Sequence, residues 1–211
     1  GCDEAQMVYN FALPPLVLHS FQAENSTKLT SWAMKLEKIS DCATYFNFLD
    51  SHDGVGVMAV KNILTREEIE LMALRIVENG GYISYKDNGD GTSSPYELNS
   101  TWFSAVNRDD DEPEHIQVDR YLASRAIALV IMGVPGVYFH GLIGSKNEAE
   151  LVIEQQSTRS INRKDIEKAN LVDALENKKN ITSKVAQHLM ELIRLRKRER
   201  AFHPNAAQTV F

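Results

Sequence analysis

The chain has 211 residues, of which 43% are hydrophobic and 25% are charged, and this balance is typical of a globular protein with a sizeable core. Its net charge of -6 disfavours nucleic acid and anionic membrane surfaces as partners. The longest apolar stretch, residues 126–137, contains Gly133 and Pro135 and is shorter than the ~20 residues of a membrane span. Cys2 and Cys42 have neither metal-ligand spacing nor the density of a disulfide scaffold, which predicts a reducing compartment and a cytoplasmic protein.

The N-terminal part of the chain alternates between the patterns of strands and helices. The apolar run MVYNF precedes a Pro-Pro break, and residues 16–39 then carry apolar side chains at helical spacing, with a predicted interruption at residues 25–27. Residues 42–49 form a second strand candidate. This candidate leads directly into the polar, turn-forming run SHDG at residues 51–54.

From Gly54 to about Val118 the pattern changes. Thr65 is the predicted N-cap of a helix, TREEIELMALRIVE, which ends at two glycines. The run NGDG at residues 88–91 then signals a hairpin or loop within a turn-rich, polar segment. We interpret this region as an excursion from the main fold.

The strand and helix pattern resumes at Asp119. RYLASRAIALVIM predicts a helix that ends at Gly133, and GVYFH predicts a short strand that ends at His140. A long, charged, irregular segment at residues 142–179 precedes ITSKVAQHLMELIRLRKRE, which has the apolar stripe of a helix. The final run, FHPNAAQTVF, predicts the beginning of a new strand.

Strands that alternate with helices, with polar material after each strand, are typical of a parallel α/β protein. In such folds the chemistry gathers at the carboxyl ends of the strands, which places His52, Asp53 and His140 on one face. An open doubly wound sheet fits the same alternation. However, the DNGDG run does not match a dinucleotide fingerprint, because it neither follows a strand nor opens a helix. Taken alone, the His-Asp-Gly run is more typical of a capped turn.

Four segments, FALPPLVLHSF, FNFLDSHDGVGV, GVPGVYFHGLIGSKN and TRSINR, together resemble the sucrose phosphorylase branch of the α-amylase superfamily, glycoside hydrolase family 13. The resemblance implies the later portion of a (β/α)8 TIM barrel, with strands six, seven and eight at residues 7–11, 43–49 and 136–139. It also implies four parts of the chain: barrel segments at 1–54 and 119–198, an inserted small lobe at 55–118 and the start of a C-terminal β domain at 199–211.

The resemblance implies a retaining double displacement, in which one carboxylate attacks the anomeric carbon and a second protonates the leaving group. A third carboxylate stabilises the oxocarbenium-like transition state. Only this third residue maps onto the chain, as Asp53, with His52 as its sugar-binding neighbour and Asp50 expected to orient the loop. The nucleophile and the acid/base are expected upstream of Gly1. Neither a metal ion nor an organic cofactor is expected.

Further substrate-binding residues follow from the same resemblance, namely Tyr96, Glu97, His140, Arg159 and Arg163. One of the two arginines matches a position at the far end of the glucose, and the choice between them stays open. Tyr96 and Glu97 match a mobile loop in which sucrose phosphorylases have a Tyr-Gln pair. Because a carboxylate near a phosphate subsite would repel the anion, Glu97 argues against sucrose itself as the substrate.

We therefore expect a glucosyl phosphorylase, whose partners are a small-molecule sugar substrate and inorganic phosphate. The substrate is sucrose, sucrose 6'-phosphate or glucosylglycerate, the product is α-glucose 1-phosphate, and a homodimer is left open. GVYFHGLIGSKN and RSINR favour the relatives whose acceptors carry an anion. The alternatives are a hydrolase or transglycosylase of the same superfamily, or a catalytically incomplete fragment. The 211 residues alone are expected to be inactive.

Overall fold

The computed structural model describes residues 5–108 and 112–211. Its strands are β1 (Met7–Tyr9), β2 (Thr44–Asn47), β3 (Val55–Gly56), β4 (Tyr82–Asp87), β5 (Ser93–Asn99) and β6 (Val134–Pro135). Its helices are α1 (Leu13–Ala23), α2 (Thr27–Ala33), α3 (Arg66–Glu78), α4 (Trp102–Val106), α5 (Glu114–Val130), α6 (Phe139–Leu142), α7 (Ala149–Gln155), α8 (Lys168–Glu176) and α9 (Ile181–Arg198). Short 3₁₀ turns occupy Met58–Val60, Thr158–Asn162 and Arg200–Phe202.

Three of the strands form a parallel sheet in the order β1, β2, β6. Helices α1 and α2 connect β1 to β2, as parallel neighbours require, because a hairpin cannot join two parallel strands. The molecule is thus the mixed α/β protein that the sequence predicts. The carboxyl ends of all three strands lie at one edge of this sheet, and this edge carries the loop that follows β2.

Helix α1 is buried on almost every side and packs into the main core. Pro14 and Pro15 lie in its first turn, where the missing N–H groups have no helical partner to lose. The helix ends at Ala23, because Glu24 adopts a left-handed conformation with φ of 53°. Asn25 Oδ1 then accepts a hydrogen bond from the Thr27 amide as α2 begins. The predicted interruption is therefore confirmed, although the helical segment ends at Ala33 and not at residue 39.

The excursion after β2 contains an antiparallel sheet in the order β3, β5, β4, with α3 packed beside it. Thr65 caps α3 in a capping box with Glu68, as predicted. The NGDG run forms the turn between β4 and β5, with Gly89 and Gly91 at φ of 81° and 82°. The hairpin prediction is confirmed. The polar segment on either side of the turn is largely strand, because β4 and β5 pair with each other in an antiparallel arrangement.

The region after α5 differs from its prediction. Helix α5 begins at Glu114, directly after Pro113, and not at Asp119. The strand predicted at residues 136–139 lies instead at β6, and α6 follows it, so His140 is in a helix and not at a strand end. A Cβ at Gly136 would overlap the ring of Phe46, so the close approach of this residue to β2 requires glycine.

The C-terminal segment also departs from its prediction, since residues 203–211 contain no strand. Side-chain hydrogen bonds attach the segment to the rest of the chain. Thr44 Oγ1 donates to Pro204 O, and Gln208 bridges Met132 N and Ala33 O. The segment at 142–179, predicted to be irregular, contains α7 and α8.

Cysteine bonding, membrane crossing and metal binding are three further properties for which the sequence raised an expectation. A reducing compartment was expected from the cysteine content, and in such a compartment Cys42 would be a free thiol. In the structure Cys42 is disulfide-bonded. Among the described residues, no helix combines the length and the apolar character that crossing a bilayer requires. Within residues 5–108 and 112–211, no three His, Cys, Asp or Glu side chains come close enough together to hold a metal ion.

Candidate functional site

The candidate site is built around the loop at residues 50–54, which leaves the carboxyl end of β2 and enters β3. Buried Asn47, the last residue of β2, fixes the start of this loop. Its Nδ2 donates to the carbonyl oxygens of Ile131 and Met132, and its Oδ1 accepts from Asn10 Nδ2 at 2.9 Å. The strand end is therefore held by amide contacts from both neighbouring parts of the parallel sheet.

The carboxylate of Asp53 lies between two guanidinium groups. Arg159 Nη1 is 3.1 Å and Arg163 Nη2 is 3.0 Å from the same oxygen, Asp53 Oδ1. His52 Nε2 lies 3.6 Å from the other oxygen, Oδ2. All three partners are partly open to solvent, and the Asp53 side chain is 37% exposed. A ligand can therefore reach this carboxylate, whose negative charge is matched by two cations.

Glu97 of β5 is a second carboxylate of the site, but it is buried. Its Oε2 accepts from Arg159 Nε and Nη2, each at 3.1 Å, and its Oε1 accepts from the Gly54 amide at 2.9 Å. These bonds raise the pKa of Arg159. A Cβ at Gly54 would lie 2.8 Å from Glu97 Cγ, so the close approach requires glycine. Glu97 thus anchors the loop and compensates Arg159.

The turn at Thr158–Asn162 fixes the backbone of the loop from the other side. Asn162 Nδ2 donates to Ser51 O at 3.1 Å and to Asp53 O at 3.2 Å. Arg163 Nε donates to His52 O at 2.7 Å, in addition to the contact of this arginine with the Asp53 carboxylate. The TRSINR segment therefore positions both the side chain and the main chain of the loop.

A cavity of about 490 Å³ opens beside the loop. One part of its wall is apolar, and the other part carries three carboxylates and a guanidinium, which are groups that can hydrogen-bond hydroxyl groups. Its lining consists of Phe11, Pro14, Phe48, Leu49, Asp50, Ser51, Asp53, Gly54, Val55, Gly56, Met58, Ala59, Tyr96, Glu97 and Arg159. This mixture of apolar surface and convergent polar groups suits a small polyhydroxylated ligand.

The structure brings together most of the site residues proposed from the sequence. Asp53, Glu97, Arg159 and Arg163 form one ionic cluster, Tyr96 lines the cavity, and His52 contacts Asp53 with its side chain 67% exposed.

His140 has a different position and is not among the residues that line the cavity. It is buried in α6, with Nδ1 2.9 Å from Ser145 Oγ, and burial lowers its pKa.

Sequence reasoning missed Arg125 and Tyr121 of α5, and Asn162. Arg125 binds Asp50 through both carboxylate oxygens, at 2.8 and 2.5 Å, and Tyr121 contacts the same guanidinium. A signal was present, since a charged residue stands within the apolar helix RYLASRAIALV one turn after a tyrosine. An arginine in such a position needs an anionic partner, but the spacing does not say which carboxylate supplies it.

No protein-family model matches the chain. Among curated proteins, a glucosylglycerate phosphorylase from Allomeiothermus silvanus is 42% identical over 211 residues, which is 100% of this chain and 38% of that protein. A glucosylglycerate phosphorylase from Escherichia coli is 37% identical, over 100% of this chain and 37% of that protein. A sucrose phosphorylase from Streptococcus mutans is 31% identical, over 95% of this chain and 38% of that protein.

Among solved structures, a sucrose 6F-phosphate phosphorylase from Thermoanaerobacter thermosaccharolyticum superposes with a TM-score of 0.77 at 27% identity. The match covers 93% of this chain and 37% of that one. These relatives therefore confirm the resemblance to the sucrose phosphorylase branch of glycoside hydrolase family 13, the α-amylase superfamily. The chain spans somewhat more than a third of the length of these relatives.

Proposed function

We propose that the chain is part of a retaining glucosyl phosphorylase, which cleaves an α-glucoside with inorganic phosphate and releases α-glucose 1-phosphate. The observation that carries this proposal is the Asp53 carboxylate, placed at a cavity wall after a parallel strand and bound by two arginines. Glucosylglycerate is the donor that we rank first, ahead of sucrose 6'-phosphate and sucrose. The glucosylglycerate phosphorylases are 42%, 38% and 37% identical to the chain, and the Streptococcus mutans sucrose phosphorylase is 31% identical.

We assign the parallel sheet to the later part of a (β/α)8 barrel. In this assignment β1, β2 and β6 are strands six, seven and eight, and the antiparallel sheet belongs to the inserted lobe at residues 55–118. Residues 199–211 then lead into a C-terminal β domain. The parallel order β1, β2, β6 supports this assignment, because consecutive barrel strands are parallel neighbours connected through helices.

In the proposed reaction Asp53 stabilises the transition state. As the bond from the anomeric carbon to its leaving group lengthens, positive charge develops on the sugar ring, and a fixed anion lowers the energy of that charge. The same carboxylate accepts hydrogen bonds from sugar hydroxyls, and His52 adds a donor or an acceptor beside it. The nucleophile and the acid/base come from the part of the full-length protein outside this chain.

The position of Arg159 supports a substrate whose acceptor part is anionic. Its side chain is 43% exposed at the cavity wall, where it can bind a carboxylate or a phosphate group. Glu97 lies behind it with its side chain only 6% exposed. Because Glu97 is bound by Arg159 and Gly54, its charge is compensated at the point where the sequence analysis expected it to repel an anion. In this proposal Glu97 holds Arg159 in place and makes no contact with phosphate.

We also propose that the 211 residues alone have no phosphorylase activity. Among the described strands, β1 and β6 each pair on one side only. Tyr9 and Phe11 stack on each other beside β1 and are 60% and 58% exposed. A sheet with open edges and an exposed aromatic face requires further chain to cover it. The catalytic residues assigned to that further chain would be absent as well.

The test is phosphate-dependent release of α-glucose 1-phosphate by the full-length protein, with glucosylglycerate, sucrose 6'-phosphate and sucrose as donors. We expect release from glucosylglycerate, and its collapse in Asp53→Asn. Asp173→Asn, an exposed carboxylate on α8, is the matched control and should retain full activity. Release of glucose at a rate independent of phosphate would establish the hydrolase instead, and absence of any product with all three donors would refute the proposal.

A further inference from the structure

The loop at residues 50–54 carries a second carboxylate, Asp50, which also lines the cavity but has a different partner. Arg125 of α5 donates to Asp50 Oδ1 at 2.8 Å and to Oδ2 at 2.5 Å. The two side chains are only 3% and 7% exposed. The bidentate geometry fixes the orientation of the carboxylate as well as its distance.

The surroundings of Arg125 hold the guanidinium firmly. Its Nε and Nη2 donate to the Tyr121 hydroxyl at 2.9 and 2.7 Å, so four of the five N–H bonds are used. The guanidinium carbon lies 4.9 Å from the Tyr121 ring centroid and 5.9 Å from that of Trp102. The Tyr121 hydroxyl donates in turn to Gly141 O. Arg125 therefore joins the loop to α4, α5 and α6.

Gly141 shows how closely these parts are fitted. A Cβ at this position would overlap both Arg125 Nη2 and Asp50 Oδ2. The backbone of α6 thus closes the cluster on the side opposite α5. The guanidinium cannot turn away from Asp50 without breaking its bonds to Tyr121.

A gain in stability is a weak explanation for such a pair. Burying two charges carries a large desolvation cost, and well-packed apolar residues of similar volume often serve stability equally well. The position of the pair suggests another role. Arg125 holds the first residue of the loop, whereas Glu97, Asn162 and Arg163 hold the remainder, which includes Asp53.

We propose that Arg125 is a positioning residue, which acts with Tyr121 through Asp50 to fix the orientation of the loop that carries Asp53. The inference rests on the proposed function, because Asp53 is the group that is positioned for the transition state. A shift of about 1 Å at a catalytic group can lower a rate by about 100-fold, so a tether at the base of the loop affects turnover without touching the substrate.

The test compares Arg125→Met with the double variant Asp50→Asn/Arg125→Met in the full-length protein. The single variant leaves a buried, uncompensated carboxylate and should lose thermal stability. The double variant removes both charges and should recover most of the unfolding temperature. Its kcat for phosphorolysis should stay about 10- to 100-fold below the wild-type value, with a much smaller change in KM for the donor.

Arg120→Met is the matched control, because Arg120 lies on the same helix and pairs with Glu112 away from the loop. It should leave kcat unchanged. Tyr121→Phe, which keeps the ring and removes the hydroxyl, should lower kcat by a smaller factor and gives a second reading if Arg125→Met does not fold. A double variant that recovers kcat together with its unfolding temperature would overturn the inference, since the pair would then be purely structural.

Hydrogen exchange separates this inference from the proposed function. If the wild-type protein releases no α-glucose 1-phosphate, the proposed function fails. The effect of Arg125 on the loop can still be measured as the rate of amide exchange at residues 50–57. We expect faster exchange there in the double variant than in the wild type and in Arg120→Met. Equal exchange in all three proteins would contradict the positioning role regardless of activity.

Discussion

The loop at residues 50–54 carries two carboxylates that bind guanidinium groups from elsewhere in the chain, and the two ionic contacts differ in their access to water. Asp50 and Arg125 are 7% and 3% exposed, whereas Asp53 is 37% exposed and its partners Arg159 and Arg163 are 43% and 37% exposed. The chemistry of the groups is the same. The difference in burial therefore corresponds to a difference in role. The buried contact of Asp50 with Arg125 fixes the backbone of the loop, whereas the partly exposed Asp53 can exchange a contact with an arginine for a contact with a ligand.

The energetics of the two pairs differ accordingly. Solvent screens the Asp53 cluster, so each of its ion pairs contributes about 0–1 kcal/mol to the free energy of unfolding. The Asp50 pair has no such screening. Burial by itself would lower the pKa of Arg125, but the adjacent Asp50 and Tyr121 raise it overall, so the guanidinium is charged at every accessible pH. The buried pair should dominate stability when it is broken, and the exposed cluster should dominate activity.

The largest expected effect is on stability, in Arg125→Met. Removing the guanidinium leaves Asp50 buried and uncompensated, which should lower the free energy of unfolding by about 3–5 kcal/mol. Arg163→Met, which breaks a partly exposed pair of the same loop, should lower it by about 1 kcal/mol or less. Denaturant unfolding of the full-length variants measures both. Equal losses in the two variants would remove the distinction between the pairs.

The next effect is on activity, in Asp53→Asn. The substitution keeps the size of the side chain and removes the charge that opposes the developing oxocarbenium ion, so kcat should fall by about 100- to 1000-fold. The free energy of unfolding should change little, because the carboxylate is partly exposed. Phosphorolysis rates and denaturant unfolding of the same preparation provide the two readings. A large loss of stability in this variant would show that the exposed cluster is structural after all.

A smaller effect is expected from Gly141→Ala, which changes no charge. The added Cβ overlaps Arg125 Nη2 and Asp50 Oδ2, so either α6 or the ion pair must shift, at a cost of about 1–3 kcal/mol in the free energy of unfolding. Gly56→Ala is a suitable control, since nothing lies within 4 Å of a Cβ at that position. Thermal unfolding measures the midpoints of both variants. Equal midpoints would contradict the close fit of Gly141 against Arg125 and Asp50.

The features that the sequence predicted well are those that depend on neighbouring residues. The capping box at Thr65, the hairpin at residues 88–91 and the helix interruption at residues 25–27 each rest on local backbone chemistry. Pairs that are distant in the chain were not accessible in this way. Arg125 and Asp50 are 75 positions apart, and only the tertiary fold selects this carboxylate for this arginine.

The candidate site shows the same division. The strand pattern predicted that the SHDG run follows a strand end, but the approach of Arg159 and Arg163 was expected only from the resemblance to a family. The errors fall where tertiary contacts override local preference. Residues 139–142 form a helix soon after β6, and the C-terminal run is attached by hydrogen bonds of Gln208 and Pro204 in place of a strand partner.

The smallest expected effect depends on pH and concerns His140, which lies beside Gly141 at the buried pair. Burial lowers its pKa in the folded protein, although Asp50 and Asp165 oppose the shift. In the unfolded chain the pKa of histidine is about 6.5. Below that pH the unfolded chain therefore binds more protons than the folded one, so stability should decrease as pH falls from 6.5 towards the folded-state pKa.

Denaturant unfolding at about pH 7.5, 6.5 and 5.5 measures this dependence. His140→Gln keeps a group that can bond Ser145 Oγ and removes the titration, so its stability should decrease less on acidification than that of the wild type. His19 is buried elsewhere, its pKa is also lowered, and it contributes with the same sign, which makes His19→Gln the matched comparison. Because His140 adjoins the Asp50 pair and His19 does not, acidification should lower the protection from hydrogen exchange at residues 50–57, relative to the intrinsic exchange rate at each pH, in His19→Gln and the wild type, but not in His140→Gln.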